Sequence, residues 1–264
     1  MWRRVWDSSP YRGPSKIFTT EGTREHRVEP EVGSATKKIM ANEQGKEAAA
    51  RASLKFVKDG QVVGLGTGST VKYFIDLLGA QVKKGLRVRG IPSSDRSRQQ
   101  AESLGIPLIT FDECQEIDVT VDGTDEVDPE LRLIKGGGGA LLREKIVASA
   151  SKQVVIIADE TKRVRVLGKF GLPVEVIKFA QAVVRKKIEA LGARVSLRRD
   201  GGGPFLTDGN NYIFDCHFGE IGDAEGLARE LSDMPGVVEH GLFIGMASVV
   251  IVARGSEIME LRRG

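Results

Sequence analysis

The chain has 264 residues, enough to bury a substantial hydrophobic core in one large domain or two smaller ones. Its 39 basic and 36 acidic residues leave a net charge of only +3, which argues against nucleic acid or a membrane surface as a partner. Two distant cysteines and three scattered histidines predict neither a disulfide framework nor a metal site. The cysteine usage fits a reducing cytoplasm best, which is the location we expect. No apolar run approaches the roughly 20 residues that cross a bilayer.

Residues 1–39 form the first segment. They mix prolines, arginines and scattered acids without sustained periodicity, which predicts a disordered tail. Glutamates such as Glu21 and Glu25 argue against an organellar presequence, which would be poor in acids. Met40 is a candidate for the working start, a hypothesis that a chain beginning there would test by its activity and stability.

A helix is predicted next. Asn42 is a good N-cap, and the alanine-rich stretch after it, residues 43–57, favours a helix with Lys46 near its beginning. Taken alone, Lys46 is most simply a solvated surface lysine.

The strand VVGLG at 62–66 leads into the turn TGST and another helix. This arrangement is typical of a phosphate site, because N–H groups and the hydroxyls of Thr67, Ser69 and Thr70 can face an anion. The glycine pattern lacks the third glycine of the dinucleotide fingerprint, and no Walker A lysine follows, so we expect no nicotinamide cofactor. A plain tight turn is the structural alternative.

The stretch 122–145 carries the strongest chemical signal. An apolar run predicts a buried strand that ends at Asp122, and carboxyl ends of parallel strands are where open sheets bind ligands. Lys135 and four glycines follow and open a helix that carries Glu144, a candidate base. Glycine N–H groups and a helix N-terminus can hold an anion. Turn formation by the aspartates and flexibility of the glycines is the alternative.

Strands and helices alternate up to residue 169, which predicts an α/β fold with a doubly wound, mostly parallel, Rossmann-like sheet. Ser93, Ser94 and Arg96 lie at the start of one helix and could reach the ligand edge or stay solvated. Lys162 is the last residue of the stretch VVIIADETK, a predicted buried strand, and belongs to the same edge, unless it only pairs with Asp159 or Glu160.

The pattern changes after residue 169 to β-α-β-β-α-β, which predicts a second, smaller ferredoxin-like α+β domain over 170–243. The apolar strand MASVVIVAR then returns to the first sheet. The catalytic α/β domain would therefore comprise 40–169 and 244–264, and the smaller domain would serve packing or oligomerisation.

Five motifs in this order, GLGTGST, DGTDEVD, KGGGGALLREK, IADETK and GLFIGMA, resemble the ribose-5-phosphate isomerase A family over 40–264. Thr124 departs from the alanine that is more common there. The resemblance implies a metal-independent interconversion of D-ribose 5-phosphate and D-ribulose 5-phosphate through an enediolate, in the non-oxidative branch of the pentose phosphate pathway. It also implies no cofactor, a small-molecule sugar phosphate as ligand, and a homodimer or homotetramer.

Matched motif by motif, the resemblance makes Glu144 the catalytic proton acceptor, accompanied by Asp122, Asp125 and Lys135. The substrate-contacting positions that it implies are Lys46, Thr67, Gly68, Ser69, Thr70, Asp122, Gly123, Thr124, Asp125, Lys135, Gly136, Gly137, Gly138 and Lys162. Which aspartate opens the sugar ring, and which groups meet the phosphate, stays open.

Three other functions compete with isomerisation. A sugar-phosphate-sensing module would need a DNA-binding helix-turn-helix, for which the N-terminal segment has no pattern. A nicotinamide-dependent dehydrogenase is disfavoured by the broken fingerprint. An acyl or coenzyme A transferase would need a coenzyme A site, and none is identifiable.

Overall fold

The computed structural model describes residues 33–263. Its α-helices are α1 (Gly33–Ser53), α2 (Ser69–Lys83), α3 (Asp95–Ser103), α4 (Leu141–Ser149), α5 (Gln181–Ala190) and α6 (Ala224–Ser232). Short 3₁₀ helices lie at Leu54–Phe56, Glu160–Lys162 and Lys178–Ala180. The strands are β1 (Val62–Leu65), β2 (Arg89–Pro92), β3 (Val119–Gly123), β4 (Glu126–Val127), β5 (Leu133–Ile134), β6 (Val154–Asp159), β7 (Leu172–Val176), β8 (Arg194–Leu197), β9 (Arg199–Asp200), β10 (Gly203–Pro204), β11 (Tyr212–His217), β12 (Val237–His240), β13 (Leu242–Phe243), β14 (Val249–Arg254) and β15 (Glu257–Arg262). None of the described helices combines the length and apolar character needed to cross a membrane.

Six strands form the central sheet, in the order β15-β14-β6-β3-β1-β2. Every neighbouring pair is parallel except β14 with β15. The chain moves from β1 outward to β2 and then returns to β3 on the other side of β1, so the strand order reverses between β1 and β3. The predicted doubly wound sheet is confirmed. A crevice for ligands is expected at the carboxyl ends of β1 and β3.

Both faces of this sheet are apolar and covered. In β6, Val155 and Ile157 pack into the core beneath α1 and α2, whereas Val154 and Ile156 pack into the core on the opposite face. The alternation follows from the two-residue period of a strand, and apolar residues at both phases are typical of a parallel sheet that is buried on both sides. The strand ends are therefore held in a rigid frame.

A second sheet, which is antiparallel, has the order β12-β7-β11-β8, with α5 between β7 and β8 and α6 between β11 and β12. This is the predicted ferredoxin-like β-α-β-β-α-β arrangement, and it has a core of its own around Val184, Ile188 and Leu231. The domain boundaries at 170 and 243 stay predictions. Three short strands, β13-β5-β4, form a further small sheet that the sequence did not indicate.

One local prediction near the start of the chain is wrong, and one strand near its end was not predicted. Helix α1 begins at Gly33, so Asn42 lies inside it and residues 33–39 of the predicted tail are helical. The residues before Asn42 include good helix formers, which outweigh the capping preference of a single asparagine. Residues 1–32 lie outside the described part, and the role of Met40 stays a prediction. Strand β15, which closes the sheet edge antiparallel to β14, was not predicted.

Candidate active site

A cleft opens where the strand order reverses, at the carboxyl ends of β1 and β3. Its lining residues are Thr67, Gly68, Ser69, Thr70, Gly123, Thr124, Asp125, Lys135, Gly136, Gly137, Gly138, Glu144 and Lys162. Of the predicted site residues, only Asp122 and Lys46 are outside this lining. Asp122 contacts Lys135 directly from behind the cleft.

Lys135 is the centre of the charged groups in the cleft. Its side chain is 2% exposed, and its ammonium nitrogen Nζ donates to the carbonyl oxygen of Gly123 at 2.6 Å. The same nitrogen lies 3.0 Å from Asp122 Oδ2 and 3.0 Å from Glu144 Oε1. Strand β5 and helix α4 place these groups, because Lys135 directly follows β5 and Glu144 lies in the first turn of α4. One buried ammonium thus lies between two buried carboxylates.

The two carboxylates have different surroundings. Asp122 Oδ1 accepts hydrogen bonds from the backbone N–H groups of Thr67 at 3.0 Å and Gly123 at 2.7 Å, while Oδ2 meets Lys135 as an ion pair rather than an aligned hydrogen bond. Glu144 Oε2 is buried and has no hydrogen-bond partner among the described residues. Asp122 has two N–H donors that stabilise a negative charge on its carboxylate, and Glu144 has no such donors. We therefore assign the standing negative charge to Asp122.

Burial dominates the acid-base properties of these groups. It raises the pKa of Glu144 to about 8, with Lys135 acting in the opposite direction and the Asp122 charge adding to the increase. Burial also raises the pKa of Asp122, against the effects of Lys135 and the two N–H donors. For Lys135, burial disfavours the ammonium, but the two carboxylates outweigh it and raise its pKa above the ordinary value. Glu144 is therefore the group whose proton is poised to move near neutral pH.

The glycine loop closes one side of the cleft. Gly136 has φ +98°, which other residues rarely adopt, and the N–H of Gly137 donates to Asp125 Oδ2 at 2.7 Å. A Cβ atom on Gly137 would lie 2.5 Å from Asp125 Oδ1, so glycine is needed there for the carboxylate to approach the backbone. The loop and Asp125 are thus built as one unit.

The TGST turn closes the opposite side. Gly68 has φ +123°, and α2 begins immediately after it, so the first N–H groups of that helix face the cleft without partners in a preceding turn. Thr67 lines the cleft, but its hydroxyl Oγ1 lies 2.9 Å from Ser93 Oγ and 2.8 Å from Ser94 Oγ. Contrary to our expectation, that hydroxyl supports the turn from below rather than turning toward an anion. The two serines likewise act behind the turn and do not line the cleft.

The two remaining predicted lysines differ in their placement. Lys162 lines the cleft, and its neighbouring acids are engaged elsewhere: Asp159 accepts from the N–H of Thr161 at 3.0 Å, and Glu160 pairs with Arg254 at 3.3 Å. Lys46 lies outside the lining, and its ammonium pairs with Glu43 at 2.7 Å. Its contact with substrate stays a prediction.

The other acids of the 122–128 cluster are structural. Glu126 accepts hydrogen bonds from the N–H groups of Gly168 at 2.7 Å and Phe170 at 2.6 Å. Asp128 pairs with Arg132 at 2.6 Å. Only Asp122 and Asp125 serve the cleft.

Sequence reasoning missed two contributors to the site. Arg198 donates to the carbonyl oxygens of Gly136 and Gly137 from the ferredoxin-like sheet. The Phe243 ring has the ammonium groups of Lys135 and Lys145 at 5.4 Å and 4.9 Å from its centroid. Nothing in the local sequence indicates either contact, because both depend on how distant strands pack.

A larger cavity of about 530 Å³ lies elsewhere and is lined mainly by apolar side chains such as Ile91, Phe111 and Ile146. We assign the site to the smaller cleft because the buried charges converge there. Within residues 33–263, no three His, Cys, Asp or Glu side chains are grouped so as to hold a metal ion.

Comparisons with known proteins show which family the chain is similar to. The family model for ribose 5-phosphate isomerase A (phosphoriboisomerase A) matches residues 89–257. Ribose-5-phosphate isomerase A of Nitrobacter hamburgensis is 53% identical over 226 residues, which covers 82% of this chain and 97% of that protein. The Parvibaculum lavamentivorans protein is 52% identical over 231 residues, with 84% and 100% covered.

Solved structures extend the similarity to three dimensions. A D-ribose-5-phosphate isomerase in complex with phospho-erythronic acid superposes with a TM-score of 0.82 at 40% identity, covering 84% of this chain and 99% of that one. Ribose 5-phosphate isomerase A from Methanocaldococcus jannaschii has a TM-score of 0.81 at 42% identity, with the same coverage of both chains. The resemblance that the motifs indicated is confirmed: the chain belongs to the ribose-5-phosphate isomerase A family.

Proposed function

We propose that this chain interconverts D-ribose 5-phosphate and D-ribulose 5-phosphate, through an enediolate, in the non-oxidative branch of the pentose phosphate pathway. The observation that carries the proposal is the buried Glu144, which shares the Lys135 ammonium with Asp122 at the edge of a cleft. Family membership supports the choice of substrate.

Glu144 is the proposed base. In the open-chain aldose its carboxylate takes the proton from C2, the C–H electron pair becomes the C1–C2 double bond, and the carbonyl oxygen O1 becomes anionic. Glu144 then returns the proton to C1, the C1–C2 double-bond electrons form the new C–H bond, and the proton of the C2 hydroxyl passes to O1, which leaves a ketone at C2 and a hydroxyl at C1. A carboxyl whose pKa is about 8 holds a proton well enough to donate it again, and loses it readily enough to act as a base near neutral pH.

Lys135 is the proposed electrophile. Its ammonium is buried, already fixed by Gly123 and the two carboxylates, and needs no reorganisation when charge develops on the sugar oxygens. Asp122 keeps the ammonium protonated and in place. We assign Asp122 this supporting role because both of its oxygens are occupied behind the cleft.

Asp125 is the proposed group for opening the furanose ring. It lines the cleft, whereas Asp122 does not, and the Gly137 N–H fixes one of its oxygens. The other oxygen would relay a proton between the C1 hydroxyl and the ring oxygen.

The phosphate would lie at the opposite end of the cleft. The free N–H groups at the start of α2, the hydroxyls of Ser69 and Thr70, and the ammonium of Lys162 provide donors and positive charge there. Lys46 remains a candidate for the same anion, although the structure pairs it with Glu43. Cytoplasmic location and a homodimer or homotetramer complete the proposal on the strength of family membership alone.

The test is conversion of ribose 5-phosphate to ribulose 5-phosphate by the purified full chain in EDTA. Glu144→Gln should lose about 10² to 10⁴ in turnover, the usual range for a positioned acid-base group, and should retain affinity for phospho-erythronic acid. Glu116→Gln, at an exposed position, is the matched control and should leave turnover unchanged.

Near-normal turnover in Glu144→Gln would remove Glu144 from the base role. A folded wild type that binds ribose 5-phosphate without converting it would instead favour the sensing module.

A further inference from the structure

Arg198 reaches the active-site loop from the ferredoxin-like sheet. It lies between β8 and β9, 62 positions from Gly136 in the chain. Its Nη1 atom donates to the carbonyl oxygen of Gly136 at 2.8 Å and to that of Gly137 at 3.2 Å. The Arg198 side chain is only 13% exposed, whereas Gly137 lies at the surface.

The guanidinium is itself held in place. Its Nε donates to Asp215 Oδ2 at 3.1 Å, and the Nη2 atom contacts the other oxygen of the same carboxylate, a two-point pairing that fixes the plane of the group. The backbone N–H of Arg198 donates at 2.8 Å to the carbonyl of Ile213, which lies in β11, the strand that also carries Asp215. Contacts with the ferredoxin-like sheet thus hold Arg198 at both its backbone and its guanidinium, and the side chain extends toward the glycine loop.

Peptide geometry converts this contact into an effect on the cleft. In a trans peptide the C=O and the following N–H point in opposite directions, and the described residues contain no cis bond. Because the Gly136 carbonyl points to Arg198, the Gly137 N–H points the other way, where it donates to Asp125 at 2.7 Å. The contact with Arg198 on one side of the Gly136–Gly137 peptide thus orients the N–H on its other side toward Asp125.

The second plane follows the same rule. The Gly137 carbonyl also points to Arg198, so the Gly138 N–H points to the opposite side of the loop, and Gly138 lines the cleft. The Gly136 carbonyl also accepts from the N–H of Gly139 at 3.0 Å, so a turn within the loop helps to orient the first plane, whereas Arg198 is the partner that the described residues offer the Gly137 carbonyl. Arg198 contacts both planes at once.

We propose that Arg198 is a positioning residue for the isomerisation, which turns the Gly137 N–H to Asp125 and the Gly138 N–H to the developing enediolate oxyanion. Asp215 holds Arg198 for this purpose. The inference rests on the proposed isomerase function and gives the ferredoxin-like domain a part in catalysis in addition to packing.

The experiment compares Arg198→Lys with the wild type in turnover, KM for ribose 5-phosphate, and affinity for phospho-erythronic acid. The carboxylate of phospho-erythronic acid resembles the planar enediolate, so it probes the oxyanion donors directly. Lysine keeps the charge but lacks the fork that reaches Asp215 and two carbonyls together. Arg185→Lys is the matched control, since Arg185 also donates to a backbone carbonyl, that of Val195 at 2.8 Å, within the same domain.

We expect Arg198→Lys to lower kcat about 10- to 100-fold and to lower the affinity for phospho-erythronic acid by a similar factor. The KM for ribose 5-phosphate should change by less than about threefold. Asp215→Asn, which leaves the arginine in place, should shift both quantities in the same direction by a smaller factor, and it serves as the test should Arg198→Lys fail to fold. Unchanged kcat and inhibitor affinity in the folded variant, or equal losses in Arg185→Lys, would overturn the inference. An inactive wild type would instead overturn the proposed function.

Discussion

Replacing Glu144 with glutamine should stabilise the protein at alkaline pH even though it removes the base. The glutamate is 4% exposed, its Oε2 has no partner among the described residues, and its pKa is raised to about 8 from 4.5. The folded state therefore holds a proton on this group between pH 4.5 and about 8 that the unfolded chain has released. The free energy of unfolding contributed by that proton is fully present below pH 4.5 and is lost as the pH rises through 8.

The magnitude follows from those two values. Each pH unit between the two pKa values removes about 1.4 kcal/mol from the free energy of unfolding of the wild type. The stability difference between Glu144→Gln and the wild type therefore reaches up to about 5 kcal/mol above pH 8. Glutamine is neutral throughout, and its amide oxygen can still accept from Lys135, which stays neutralised by Asp122. The variant should have nearly the wild-type stability at pH 5 and clearly exceed it at pH 9.

The assay is urea unfolding of both proteins at intervals from pH 5 to 9. Glu126→Gln is the control, because Glu126 is equally buried but accepts from the N–H groups of Gly168 and Phe170. Glu126→Gln should destabilise the protein by about 2 kcal/mol or more, because a buried N–H donor loses its charged acceptor. This effect is opposite in sign to that of Glu144→Gln. A difference between Glu144→Gln and wild type that does not change with pH would refute the assigned burial cost.

Three further predictions concern activity. The value of kcat/KM should rise with pH up to about 8 and then level, as Glu144 becomes ionised, and a flat profile from pH 6 to 9 would contradict its role as the base. Gly137→Ala should lower kcat/KM more than about tenfold because its Cβ would lie 2.5 Å from Asp125 Oδ1. Gly222→Ala, whose Cβ would have no neighbour within 4 Å and which does not line the cleft, is the control and should stay within about threefold; equal losses in the two variants would reject this account of the loop. Lys162→Ala should raise KM for ribose 5-phosphate about tenfold and weaken inhibition by inorganic phosphate, and an unchanged KM would place the phosphate elsewhere.

Three of the segments that sequence predicted share one property: each follows the end of a strand of the central sheet. Thr67 follows β1, Asp125 follows β3, and Lys162 follows β6, and these strands are parallel neighbours or next neighbours in the central sheet. Apolar runs identify such strands well, and parallel pairing brings their carboxyl ends to one edge without further information. The cleft was therefore predictable from short segments.

The parts that sequence did not predict depend on contacts between distant segments. Arg198 meets Gly136 across 62 positions, through a sheet whose register local patterns do not determine. The hydroxyl of Thr67 faces Ser93 and Ser94 because α3 packs beneath the turn, an orientation that residue type alone leaves free. The first turn of α1 was misplaced because capping preference is weak compared with the helix propensity of the residues before Asn42.

Charge balance explains why this site can leave a glutamate without a full set of partners. Lys135 and Asp122 neutralise each other, and each also has a backbone contact: the Gly123 carbonyl accepts from Lys135, and the Thr67 N–H donates to Asp122 Oδ1. We therefore expect their charges to stay constant through a cycle. Glu144 is then the one member whose ionisation must change, and every additional donor to its Oε2 would lower its pKa and weaken it as a base that must also return the proton. The burial cost is offset by a sheet packed on both faces. A variant that gave Oε2 a hydrogen-bond donor should therefore gain stability above pH 8 and lose turnover, which separates the demands of folding from those of catalysis.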